Sequence, residues 1–135
     1  MDQDKSDIVN RQDIDVLMEK FYEKMMVAPF IGYIFTHYAN VDLEKHLPVI
    51  SDFWVTVLFQ NPVYKRGPEA MNVHLDLHKV IPFRKQHFTR WLYLFHSTID
   101  EMFEGETATK AKTRSQSIAR LIQERIGTLP DCREM

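Results

Sequence analysis

The chain has 135 residues, 44% of them apolar and 27% charged, a length that fits one domain and not two. One cysteine, Cys132, excludes an internal disulfide, so the fold has to rest on its own hydrophobic core, as suits a reducing compartment. Residues 1–24 carry seven acids against four bases and residues 105–126 five bases against two acids; with a net charge of −2 and a pI near 6.3 there is no dense basic field, which excludes nucleic acid as a partner.

The opening residues, MDQDKSDIVNRQDID, are acidic and polar where a signal peptide needs a basic and then an apolar run, and no stretch approaches the roughly 18–20 apolar residues of a membrane span. The expectation is a cytoplasmic protein with no membrane partner, one domain over 1–135 with its core at about 12–127 and polar tails at both ends. From residue 12 to 27, Ile14, Leu17, Met18, Phe21 and Met25 follow the three-then-four spacing of one helical stripe, which Pro29 ends or redirects. A short segment around Ile31, Ile34 and Phe35 follows. A second stripe runs through Leu43, Leu47, Ile50, Phe53, Trp54, Val57 and Leu58, with Asp42 as its cap.

Two prolines and a glycine between Gln60 and Pro68 read as a loop. A short helix or turn is expected from Glu69 to Lys79. After Pro82 an apolar helix carries Phe88, Trp91, Leu92, Phe95, Ile99 and Met102, with Gly105 as its expected carboxyl-terminal cap. The last helix, from about Thr107, turns Ala108, Ala111, Ser115, Ile118, Leu121, Ile122 and Ile126 inward and stops at Gly127 and Pro130. The fold class is therefore all-α, with five or six helices and no strand.

Six histidines are an excess for this length. His46 falls between Leu43 and Leu47 on an apolar stripe, so its ring points to the core or to a pocket, where an imidazole needs a partner. His74 is flanked by Val73, Leu75 and Leu77, and a neutral imidazole is the commonest metal ligand. His78 would share its helical face, but the pair lacks the intervening glutamate and the third ligand of a zinc centre. Tyr22 and Trp91 each bury a large ring and carry one donor that wants an acceptor; packing with backbone acceptors explains either alone. There is no glycine-rich phosphate loop and no serine on a nucleophile elbow, and Cys132 sits in a polar tail, which removes phosphotransfer and nucleophilic hydrolysis.

Taken in order, FYEKMMVAPFIGYIF at 21–35, HLPVISDFW at 46–54, MNVHLDLH at 71–78, HFTRWLYLF at 87–95 and the helix around KAKTRSQSIA resemble the group III truncated haemoglobins, from about Asp13 to Ile126. The resemblance implies a two-over-two helical sandwich around haem b, iron protoporphyrin IX. It implies His74 as the proximal ligand to haem iron, Tyr22, His46 and Trp91 around the bound ligand, and His46 as a candidate sixth ligand. Phe21, Phe35, Leu47, Ile50, Phe53, Trp54 and Phe88 would pack the haem pocket, and Tyr64, Arg66, Lys79 and Arg84 are the candidates for the propionates. The chain departs from the family's pattern at Leu43, near the place of a tryptophan, and at Lys65-Arg66-Gly67-Pro68 in the loop.

The implied ligands are O₂, NO, CO or peroxide, with chemistry or sensing on a held ligand favoured over transport. Turnover as an NO dioxygenase or peroxidase would need an external electron donor, since 135 residues hold no flavin domain as well. A monomer or weak dimer is expected. The alternative is a haem-free, globin-like interaction module, which would have no need to keep Tyr22, His46, His74 and Trp91 polar together.

Overall fold

A computed structural model describes residues 5–38, 42–65, 77 and 83–127. The described residues form four α-helices and one π-helical turn, with no strand among them: α1 (Arg11–Met26), the turn (Ile34–Tyr38), α2 (Leu43–Phe59), α3 (Lys85–Met102) and α4 (Glu106–Ile126). α1 packs on α2 and α3, and α4 packs on α3 and α2. The stretch expected as a short helix or turn, Glu69 to Lys79, lies outside the described residues apart from Leu77.

The first two helices begin where the local sequence supplies an acceptor. Asn10 takes the Asp13 amide at 2.9 Å while the Asp13 carboxylate takes the Val9 amide at 2.9 Å, so two otherwise orphaned donors are met at the start of α1. Asp42 caps α2 through the Glu44 amide, as its sequence predicts. Burial follows the predicted stripe, with Ile14, Leu17, Met18, Phe21 and Met25 of α1 all facing the core, and Tyr22 is buried beside them. After Pro29 the chain folds back so closely that a Cβ on Gly32 would lie 2.5 Å from the Met26 carbonyl oxygen, which reserves the position for glycine.

Gly105 does not cap α3. Phe103 ends that helix, and Gly105 is the N-cap residue of α4, at a φ of 148° that other residues adopt only under strain. With no side chain there, Asp7 from the amino-terminal segment supplies the cap: its carboxylate accepts the Thr107 amide at 2.9 Å and the Ala108 amide at 2.8 Å. The Glu104 amide donates to the Ser6 carbonyl, and Ile8 is fully buried, so residues 6–8 of the expected polar tail are fastened to the start of α4. Leu121 also departs from expectation. It is 46% exposed, while Ala108, Ala111, Ser115 and Ala119 are the residues of α4 that are fully buried and Ile118 and Ile126 pack on the core beside them.

Burial alone would raise the Asp7 pKa, but the amides of Thr107, Ala108 and Ile8 outweigh it and hold the carboxyl below its ordinary value of 3.8. A depressed folded pKa contributes stability that is present above 3.8 and lost as pH falls through the lower folded value. Asp7→Ala should therefore cost about 1 kcal/mol at neutral pH, the usual worth of a helix cap, with the difference from wild type shrinking in acid. Urea unfolding at pH 7 and near pH 3 measures both; a gap that does not narrow contradicts the assignment.

Candidate functional site

Edge and stacked ring contacts connect the core to one flank of the molecule. Trp54 stacks on Phe95 at 5.0 Å, Phe95 on Trp91 at 5.5 Å, Trp91 meets the edge of Phe21 at 5.9 Å, and Phe21 meets Tyr22 at 5.4 Å. Tyr22 in turn meets Phe35 at 6.2 Å and His46 at 5.1 Å. α1 thus places Tyr22, the π-helical turn places Phe35, α2 places His46 and α3 places Trp91. A π-helical turn carries one residue more per hydrogen-bonded loop than an α-helical one, a widening often found at functional sites.

The Tyr22 hydroxyl and His46 Nε2 lie 2.8 Å apart. Tyr22 is 6% exposed, and burial pushes its pKa up, so the hydroxyl keeps its proton at any working pH. Two arrangements of that bond exist. With Nε2 unprotonated, Tyr22 O–H donates to it; with the proton on Nε2, His46 donates and the tyrosine proton is free to point elsewhere. The pair is therefore a donor whose aim the imidazole tautomer sets.

Around the pair the apolar surface is incompletely covered. His46, Ile50, Phe53 and Val57, spaced four, three and four apart, share one flank of α2 and are all half-buried. Phe35, Leu47, Phe88 and Trp91 pack against the core and are half-buried as well. A wall of large apolar and aromatic side chains carrying the phenol–imidazole pair of Tyr22 and His46 suits a flat, mostly apolar group with a polar ligand on one face. The arrangement fits haem on that observation. Phe21 and Trp54 lie in the closed core, 1% and 3% exposed.

The remaining site residues divide. Tyr64 is held by its amide to Thr56 Oγ1 at 3.0 Å and by its ring edge against Phe53 at 5.2 Å. Arg84 is half-buried as the N-cap of α3. His74, Arg66, Lys79 and His78 lie outside the described residues. No group of three or more histidine, cysteine or acidic side chains able to hold a metal ion occurs among the described residues. A cleft of about 220 Å³ between α1 and α2 is lined by Arg11, Asp15, Glu19, Leu47, Pro48 and Ser51, and so belongs to neither Tyr22 nor Trp91.

His87 escaped the sequence reading. Its ring is 5% exposed, stacked on Phe30 at 4.6 Å and edge-on to Phe83 at 6.1 Å. Nδ1 accepts the Arg84 amide at 2.9 Å, and Nε2 is buried with no hydrogen-bond partner. A helix-start signal was present in the sequence, since position 87 is the third residue of α3, where a side-chain acceptor can reach back to the cap. Histidine is rarely counted among those acceptors.

Among the described residues, four α-helices around an aromatic flank make the arrangement of a globin-type domain. No family model matches the chain. The Group 3 truncated hemoglobin ctb of Campylobacter jejuni is 30% identical over 118 residues, covering 85% of this chain and 89% of that protein. The crystal structure of the group III truncated hemoglobin from the same organism superposes with a TM-score of 0.78 over 92% of this chain and 96% of that one, at 30% identity. The chain belongs to the group III truncated haemoglobins. The family resemblance and the all-α truncated globin fold expected from the sequence are both borne out. Among the described residues, no helix is long and apolar enough to cross a membrane.

Proposed function

We propose that the chain is one haem b-binding domain that holds O₂, NO or peroxide on a polar distal face for chemistry or sensing, with electrons supplied by an external donor. The observation that carries this reading is the buried Tyr22 hydroxyl 2.8 Å from His46 Nε2, at the edge of a half-covered apolar wall. Haem, when bound, supplies an iron that takes a diatomic ligand and gives it partial negative charge. His74 is the residue that would hold the iron, and Tyr64, Arg66, Lys79 and Arg84 are the candidates for its carboxylates.

The residues of this chain then do three things. Tyr22 donates a proton-bearing hydroxyl that burial keeps from ionising. Trp91 brings an indole N–H from the adjacent helix, and indole can only donate. Fixed donors aimed at developing negative charge need no reorganisation when the ligand arrives, so they slow its escape. Slow escape favours reaction over delivery. His46 sets the direction of the tyrosine proton through the shared bond, and its engagement with Tyr22 keeps Nε2 occupied.

Two measurements test this. Rapid mixing of NO with the reduced, O₂-equilibrated protein should yield nitrate within the mixing time and turn over when an electron donor is added; a ligand-bound spectrum that persists in the presence of NO contradicts NO dioxygenation. For His46, substitution by leucine should leave the ferric spin state unchanged, because Nε2 is committed to Tyr22. Conversion from low to high spin in that variant would show instead that His46 is the sixth ligand.

A further inference from the structure

His87 is a buried imidazole with a single polar bond. Nδ1 accepts the Arg84 amide at 2.9 Å, so the lone pair is there and the ring proton is on Nε2, which is buried without a partner. A lone buried donor is costly, and native structures keep few of them. Among the described residues, the ring is otherwise held by its neighbours, stacked on Phe30 at 4.6 Å and edge-on to Phe83. His87 and Trp91 are four residues apart on α3, so they share a face one turn apart.

We propose that His87 is a positioning residue for Trp91: its neutral imidazole pins the first turn of α3, and protonation releases that turn. The proton balance is simple. A proton taken from solvent lands on Nδ1, the acceptor becomes a donor, and it then faces the Arg84 N–H with no lone pair between them. The contact that closed the helix start turns repulsive. Among the described residues, the charged group that faces the ring is Arg84, at the start of the same helix; Phe30, beyond the end of α1, and Phe83 bring none.

Burial and the Arg84 charge both hold the His87 pKa below its ordinary 6.5, so the ring is neutral at pH 7. With the folded value depressed, the contribution to stability is present above 6.5 and lost as pH falls through the lower folded value. The effect on bound ligand rests on the reading of Trp91 as a distal donor given above.

The test uses the full chain loaded with haem, with wild type compared to His87→Gln, whose amide oxygen can accept the Arg84 amide at every pH. Near-ultraviolet circular dichroism of the tryptophans and the O₂ release rate are followed from pH 7.5 to 5. Wild type should show a reversible change with a midpoint below 6.5 in both signals, and the glutamine variant should match wild type at pH 7.5 and stay flat. An identical acid transition in the variant, or none in wild type, overturns the proposal. A tryptophan signal that moves while the release rate does not would uphold His87 and remove Trp91 from the distal site. Should the variant fold poorly, nitrogen-resolved NMR of wild type decides alone: an Nε2–H tautomer titrating below 6.5 supports the assignment, and an Nδ1–H tautomer refutes it.

Discussion

Replacing His74 by alanine should abolish saturable, one-to-one haem binding while leaving the helical content intact. The iron would lose its protein bond, and the remaining contacts are apolar packing and carboxylate pairing, which hold a porphyrin without fixing it. Loss of a residue that merely supports a metal ligand typically costs roughly 10–100-fold in affinity, so loss of the ligand itself should exceed that. Hemin titration followed by the Soret band, with far-ultraviolet circular dichroism as the check on folding, measures the effect. Full haem retention in the alanine variant would move the proximal role to another histidine. Among the described helices, Phe21, Trp54, Phe95 and Ile99 are buried in one core, around which the variant can fold.

Removing both distal donors, Tyr22→Phe with Trp91→Phe, should speed O₂ release by roughly 30- to 150-fold, because each hydrogen bond contributes on the order of 1–1.5 kcal/mol and every 1.4 kcal/mol is tenfold. Each single change should give roughly 5- to 12-fold on the same arithmetic. Departure from additivity is informative, since Tyr22 and Trp91 both contact Phe21 and a shift of that ring couples them. Tyr22→Phe also removes the hydroxyl from His46 Nε2, so part of its effect comes through the imidazole. Stopped-flow O₂ displacement by CO measures all three variants. A double variant that releases O₂ at the wild-type rate would show that neither group faces the ligand.

How much of this the sequence reveals depends on the range of the interaction. Helical stripes are set by residues three and four apart, so α1 can be read almost to the residue and the start of α2 down to the Asp42 cap, whereas of the α2 stripe only Trp54 and Leu58 are fully buried, beside Ser51 and Val55. The meeting of Tyr22 with His46 spans 24 residues and two elements, and no spacing rule brings them together; the family resemblance did. Gly105 misled because glycine after a helix usually ends it, whereas here Phe103 had already done so and the glycine makes room for Asp7, about a hundred residues away. Leu121 misled because a wide apolar face is expected of a long helix, while the fully buried residues of α4 are alanine and serine, with Ile118 and Ile126 packed beside them. His87 was hidden for the opposite reason, as a polar residue whose single bond is local but whose burial comes from Phe30 and Phe83.

The most direct test of the central claim is the visible spectrum of the purified chain as isolated, after hemin, after dithionite and then after carbon monoxide. A haem-binding domain should take up hemin one-to-one and show a Soret band that shifts on reduction and again with carbon monoxide, marking an iron open to small ligands. No Soret band and no saturable uptake of hemin would contradict it, leaving a globin fold without its cofactor and bringing the interaction module forward.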